Sequence, residues 1–210
     1  IALCILSAVN VGTVRNDKEL EELCDLSVRG LEELIDYQEY PVKAAEMATK
    51  ARRSLGIGFI GLAHYLAKLG FSYGSQEAWD AVHGLTESFQ YYLLKTSNQI
   101  AKEKGHCENF GRTKYADGIL PIDTYKKDVD EICSQPLEHD WESLRTSINT
   151  YGLRHSTLSA QMPSESSSVV SNATNGIEPP RDSLSIKKSK QGPLKQVVPS
   201  YGTLKNNYTL

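Results

Sequence analysis

The sequence predicts an α/β fold, and three stretches carry that expectation. Ile1-Ala2-Leu3-Cys4-Ile5-Leu6-Ser7-Ala8-Val9-Asn10-Val11-Gly12 is apolar, partly β-branched and closed by Asn and Gly. That is the pattern of a buried strand in a mostly parallel sheet. Several later stretches place apolar residues at helical spacing, the longest running from Gln76 to Lys104. Near the end, a strand-like run from Ser156 to Gln161 meets Met162-Pro163 and then a serine-rich helix start.

The helices follow in order. Asn16 is placed to cap one, and Glu19 three residues later completes a capping box. Leu20, Leu23, Cys24, Val28, Leu31, Leu34 and Ile35 then recur at helical spacing, so this helix runs to about Tyr37. Glu39-Tyr40-Pro41 ends the region. Val42 to Ser54 reads as a second helix, with Lys50, Arg52 and Arg53 near its end, where cations suit the dipole. That basic cluster reads as a solvated face or a carboxylate partner.

Leu55-Gly56-Ile57-Gly58-Phe59-Ile60-Gly61 has the spacing of a dinucleotide loop, but the residues before it are charged and helical. With no strand ahead of it, the spacing is weak evidence for a nucleotide fold. The expectation is instead a closely packed helix over roughly Phe59 to Leu69. In the Gln76–Lys104 helix, Ala78, Val82, Leu85, Phe89, Tyr92, Leu93, Ile100 and Ala101 form the apolar stripe, and Gly105 stops it. Asn109 to Ile122 is loop-rich. Asp140 caps a helix through about Thr150, closed by Gly152. Leu184 to Val198 reads as a hairpin around Lys190-Gln191-Gly192-Pro193.

Composition narrows the function classes. The chain has 210 residues, enough for a real core, with 40% hydrophobic and 23% charged residues. A net charge of −3 gives no electrostatic case for binding DNA. No apolar run is long enough to cross a bilayer. Four scattered cysteines without a leader pattern suit a reducing, cytoplasmic setting. Neither they nor the five histidines show zinc spacing, and no metal is assigned.

The chemistry concentrates in Met162-Pro163-Ser164-Glu165-Ser166-Ser167-Ser168-Val169-Val170-Ser171-Asn172-Ala173-Thr174-Asn175-Gly176-Ile177-Glu178-Pro179-Pro180. Read upward from its residues, this is a strand, a tight turn and a helix N-terminus. Free backbone N–H groups point out of such a terminus, and its dipole favours an anion. The hydroxyls of Ser164, Ser166 and Ser167 add donors there, so a phosphate cradle is one reading. Plain capping is the other, because Ser is a good N-cap and most Ser-rich first turns bind nothing. The P-loop spacing is missing, which argues against a nucleoside triphosphatase.

The whole stretch resembles a signature of the large, catalytic subunit of class I ribonucleotide reductase. There, Pro-Ser-Glu-Thr/Ser-Ser followed by Asn-Ala-Thr-x-Gly-Ile-Glu-Pro holds the substrate phosphates. Leu3-Cys4-Ile5-Leu6-Ser7 is similar to the family strand that carries one of two reducing cysteines. Leu55-Gly56-Ile57-Gly58 and Lys114 to Tyr125 also resemble family segments, so the likeness covers essentially all 210 residues in register. It implies part of a ten-stranded α/β barrel, mostly the second half-barrel with many outer helices, and no domain boundary within residues 1–210. The chain starts inside an apolar strand, which reads as a fragment of a larger subunit.

The resemblance assigns roles residue by residue. Cys4 becomes a redox-active thiol whose partner cysteine lies outside this chain; without the resemblance, it would be a small buried hydrophobe. Ser164, Glu165, Ser166 and Ser167 become diphosphate ligands, Glu165 through its backbone N–H or a structural contact. Ser166 stands where many bacterial relatives have Thr, and both keep the hydroxyl. The implied reaction is reduction of ribonucleoside diphosphates to the 2′-deoxy product by thiyl-radical chemistry. Implied partners are the remainder of the large subunit, a metal-containing, radical-generating small (beta) subunit, and thioredoxin or glutaredoxin as electron source. No cofactor is expected on this fragment itself. The family's paired tyrosines fall beyond Leu210, so Tyr91 and Tyr92 are expected to be packing residues. Alone, the piece should not turn over, and a split or truncated fragment serving only assembly or nucleotide binding is the alternative.

Overall fold

The computed structural model describes residues 3, 5–189 and 192–210, and it is a mixed α/β structure. Its centre is a parallel pair, β1 (Ile5–Asn10) and β2 (Leu55–Ile60), in register from Ile5↔Leu55 to Asn10↔Ile60. The connection between them carries α1 (Asp17–Tyr37) and α2 (Lys43–Arg52), which makes a βαβ unit. Residues 157–160 lie along the other edge of β2. The Leu55 N–H donates to the Thr157 carbonyl (3.0 Å), the Ile57 N–H to Leu158 (2.8 Å), and the Ala160 N–H back to Ile57 (3.2 Å).

Every residue of β2 is buried. This corrects the expectation that Phe59 to Leu69 is one helix. Leu55–Ile60 is a strand, and the helix behind it, α3, spans only Leu62–Leu69. Glycine has poor strand propensity, but neighbours on both edges override it. Gly58 has a further reason to lack a side chain: a Cβ there would collide with the Ala160 carbonyl oxygen. Between strand and helix, Gly61 holds φ +82°, a left-handed value that glycine adopts without a Cβ penalty.

Strand alternation sorts the sheet into two faces. Leu55, Ile57 and Phe59, with Val9 of β1, join the main core together with α1 and the long helix α4 (Gln76–Lys104). Phe59 meets Phe89 edge to face, with ring centroids 5.3 Å apart. Each fully buried aliphatic such as Ile57 or Leu93 contributes about 1.5–3 kcal/mol of transfer free energy. The opposite face carries Leu6, Ala8, Asn10, Gly56, Gly58 and Ile60, and Leu6 is 50% exposed there.

The helix caps and stripes are those read from sequence, except that Glu19 reaches the Arg15 N–H and does not close a capping box on Asn16. Asn16 accepts the Glu19 N–H (3.0 Å), while the Glu19 carboxylate takes the Arg15 N–H (2.7 Å). Leu20, Cys24, Val28, Leu31 and Ile35 are the buried stripe of α1. Gly105 ends α4 at φ +84°. The short α5 (Pro121–Thr124) lies in the loop-rich stretch, and α6 (Trp141–Tyr151) is capped by Asp140 and closed by Gly152. Pairs Lys95–Glu21 and Arg29–Glu103 show that α1 and α4 run side by side in the same direction. Tyr92 is buried, donates to Asp17 and is a packing residue, while Tyr91 stacks on His139. The serine segment forms α7 (Glu165–Val170). The hairpin follows as β3 (Leu184–Ser189) and β4 (Gly192–Val197), and α8 (Tyr201–Leu204) lies near the end. Among the described residues, no helix is long and apolar enough to cross a membrane.

Candidate functional site

The serine turn lies at the carboxyl end of β2, on the face away from α1 and α4. Open α/β sheets place ligands at this end of their strands. Three contacts fix it there. The Gln161 side chain pairs with the backbone of β2, donating to the Phe59 carbonyl (2.8 Å) and accepting the Phe59 N–H (3.4 Å). The Asn10 amide, at the end of β1, donates to the Ser171 carbonyl (3.4 Å). The Gly61 and Leu62 N–H groups, at the start of α3, donate to Thr174 (3.0 Å) and Gly176 (3.4 Å). Those last two bonds also occupy the amides that a dinucleotide phosphate would need.

The four serine-turn residues divide by position. Ser164 is buried; its N–H donates to Asn175 Oδ1 (2.9 Å) and its hydroxyl bonds back to the Met162 carbonyl (3.3 Å). Although Ser164 stands at the N-cap of α7, its side chain makes no capping bond. The plain capping alternative therefore loses its central contact. Glu165, Ser166 and Ser167 are exposed. The first bond of the helix ladder runs from the Ser168 N–H to the Ser164 carbonyl (2.8 Å), which leaves the Ser166 and Ser167 amides outside that ladder. The Ser166 hydroxyl has no intramolecular partner among the described residues, and the Ser167 hydroxyl has only a long contact to the Ser164 carbonyl (3.4 Å). Such an arrangement offers backbone and hydroxyl donors to an anion from one exposed turn.

Cys4 lies outside the described residues. The other three cysteines, Cys24, Cys107 and Cys133, are buried and free. Burial pushes the Cys24 thiol up to about 12, assisted by the nearby carboxylates of Asp17 and Glu21, so it stays a thiol at neutral pH.

A second polar cluster surrounds the amino end of β2; the carboxylate-partner reading of the basic cluster holds for Arg53, while Glu32, Arg154 and His155 went unread. Glu32, on α1, is 1% exposed. Its carboxylate accepts from Arg53 Nε (2.7 Å), Arg154 Nε (2.7 Å) and His155 Nε2 (3.0 Å). Arg53 also donates to Asp36 (2.8 and 3.1 Å) from a left-handed backbone position, φ 48°. Burial alone would raise the Glu32 pKa, but the donors from His155, Arg53 and Arg154 outweigh it and hold it at about 2. His155 is pushed down by burial against the pull of Glu32, so it is neutral. Nε2–H then faces Glu32, and Nδ1 accepts from Ser97 Oγ (2.9 Å). Two guanidinium cations against two carboxylates leave the cluster balanced. The signal was present in α1: Glu32 falls on the apolar stripe, four residues after Val28, where a solvated carboxylate does not belong.

Comparison with known proteins places this geometry in context. A family model described as ribonucleotide reductase, barrel domain, matches residues 1–209. The chain is similar to the ribonucleoside-diphosphate reductase subunit alpha of Haemophilus influenzae, 61% identical over all 210 residues and 28% of that protein. It is 59% identical over 176 residues to the reductase 1 subunit alpha of Escherichia coli, covering 84% of this chain and 23% of that protein. The subunit alpha of Enterobacteria phage T4 is 46% identical over 202 residues, 95% of this chain and 26% of that protein. The chain thus spans about a quarter of the length of these relatives.

Proposed function

Because the chain belongs to the ribonucleotide reductase barrel-domain family, we propose that it forms part of the large subunit of a ribonucleoside-diphosphate reductase. The parallel pair and its outer helices then belong to a ten-stranded barrel, of which this chain supplies mostly the second half. The reaction is ROH + 2 RSH → RH + RSSR + H2O at the 2′ carbon of the sugar. A thiyl radical removes the 3′-hydrogen, the 2′-hydroxyl leaves as water, and a cysteine pair supplies two electrons and two protons. Cys4 is one thiol of that pair. Exchange with an external dithiol, thioredoxin or glutaredoxin, restores it. A metal-containing small subunit supplies the radical. The protein works in the cytoplasm.

Within this chain, the exposed turn holds the diphosphate. Glu165, Ser166 and Ser167 contribute backbone amides, and Ser166 and Ser167 add hydroxyls. Ser164 shapes the turn from below. The observation that carries the diphosphate assignment is that the exposed serine turn is held at the carboxyl end of β2 by Gln161 and Asn10, with the Ser166 and Ser167 amides outside the helix ladder.

Complementation tests the proposal. The chain is combined with the missing parts of the large subunit and a radical-generating small subunit, and deoxynucleotide formation is measured. Activity is expected, and Cys4→Ser is expected to abolish it. Turnover untouched by Cys4→Ser removes Cys4 from the mechanism.

A further inference from the structure

We propose that Asn175 is a positioning residue for diphosphate binding: its side-chain amide holds the serine turn in its anion-accepting shape through the Ser164 N–H. This rests on the turn being the diphosphate cradle. Three observations carry it.

The first is that α7 does not organise its own start. Ser164 is non-helical (φ −124°, ψ 46°) and makes no side-chain cap, so the turn must be fixed from outside. The second is that the Asn175 oxygen does so. It accepts the Ser164 N–H at 2.9 Å across eleven residues of sequence. Asn175 is itself anchored on both sides, because the carbonyls of Thr174 and Gly176 accept the N–H groups of Gly61 and Leu62. The adjoining Gly176 (φ +52°) lies against Gln161 and Met162, where a Cβ would sit 3.6 Å from Gln161 Nε2. The acceptor is therefore built onto the end of β2 before any ligand arrives, which is the condition for preorganised binding.

The third is the residue type. A carboxylate would accept this N–H more strongly than an amide. It would also set a negative charge behind a turn whose ligand is a dianion or trianion. A neutral amide holds the same N–H without that repulsion.

The test uses the full-length subunit with its small subunit. KM and kcat are measured for a ribonucleoside diphosphate, together with its dissociation constant by calorimetry and the melting temperature. Asn175→Ala is expected to raise Kd and KM by about fivefold to tenfold, the scale of one lost hydrogen bond, with kcat changed much less, as for binding lost equally in ground and transition states. Asn175→Asp keeps the bond and the melting temperature yet weakens diphosphate binding, and the deficit shrinks as ionic strength rises. Wild-type affinity in Asn175→Ala, with weakened affinity in the Ser166→Ala, Ser167→Ala double variant, overturns the role of Asn175 and leaves the cradle standing. Wild-type affinity in that double variant as well removes the cradle and the inference together. An Asn175→Asp protein that binds as wild type at every salt concentration reduces Asn175 to a structural contact.

Discussion

The two ends of β2 solve opposite problems with the same kinds of residue. At the amino end, Glu32 is sealed from solvent and receives Arg53, Arg154 and His155. At the carboxyl end, bonded groups that fix the serine turn stand beside some that make no bond within the protein among the described residues. Four buried side-chain polar atoms lack a partner among the described residues, and three of them, Asn10 Oδ1, His64 Nδ1 and Thr174 Oγ1, belong to this end. Ser166, in the turn at this end, is exposed. Buried polar atoms are normally paired, so these three contrast with the fully bonded Glu32 carboxylate. An α/β sheet used at its carboxyl edge and held together at its amino edge has this asymmetry. One end is a clamp and the other is a site, which leads to separable consequences.

The largest effect belongs to the clamp. Glu32→Ala leaves Arg154 without its carboxylate and Arg53 with the Asp36 carboxylate alone, in a largely buried space, which costs about 3–5 kcal/mol of stability. Denaturant unfolding of the full-length protein measures it. Diphosphate affinity of the molecules that remain folded is expected to stay at the wild-type value. A loss below about 1 kcal/mol would mean that the cluster is effectively solvated, and a parallel loss of affinity would dissolve the distinction between the two ends.

Next comes the pH dependence. His155 is held below its ordinary value near 6.5. As pH falls past about 6.5, the unfolded chain takes up a proton that the folded chain refuses, so stability declines. Glu32 adds a second limb. Its folded value of about 2 lies below the ordinary value near 4.3, so its contribution is complete above about pH 4.3 and is lost as pH falls toward 2. Both limbs run in the same direction, toward acid lability. His64, at the opposite end, is also pushed down, by burial and then by Lys68, and shares the first limb. Melting temperatures across pH 5 to 8, recorded for His155→Gln and His64→Gln, apportion the limb between the ends. A profile identical to wild type in both variants would show that neither histidine is held below its unfolded pKa in the folded protein.

The same asymmetry explains what could be read in advance. Caps and stripes are local, so Asn16 with Glu19, the Gly105 stop and the Asp140–Gly152 helix were visible in the chain. The hairpin strands were visible too, although Gly192 and Pro193, read as part of the turn, begin β4. Leu55–Ile60 was not, since its strand identity comes from β1 on one edge and residues 157–160 on the other, while its glycines argue locally against a strand. The Glu32 partners stand 21, 122 and 123 residues away, beyond any pattern of spacing. At the site, the serine motif was legible as an anion turn or a capped helix. Only the structure separated the inward Ser164 from the outward Ser166 and Ser167, and nothing in the spacing announced that Asn175 reaches Ser164.

The smallest effect is the one that tests the site half of the comparison most directly. Ser166 and Ser167 are exposed, and neither hydroxyl makes a short hydrogen bond within the protein among the described residues. Removing them should therefore leave stability within about 0.5 kcal/mol of wild type, as for surface positions in general. If those hydroxyls donate to a bound diphosphate, each Ser→Ala change costs about 1 kcal/mol of binding, roughly fivefold in affinity. The clamp variant and the turn variants should thus fall on opposite axes, Glu32→Ala moving stability alone and Ser166→Ala with Ser167→Ala moving affinity alone. Calorimetric titration with a ribonucleoside diphosphate, paired with a melting curve on the same sample, places each variant. Unchanged affinity in the serine variants, with affinity lost in Asn175→Ala, would leave the turn with backbone amides as its only donors. Lost stability in them would show that the hydroxyls were spent inside the protein after all.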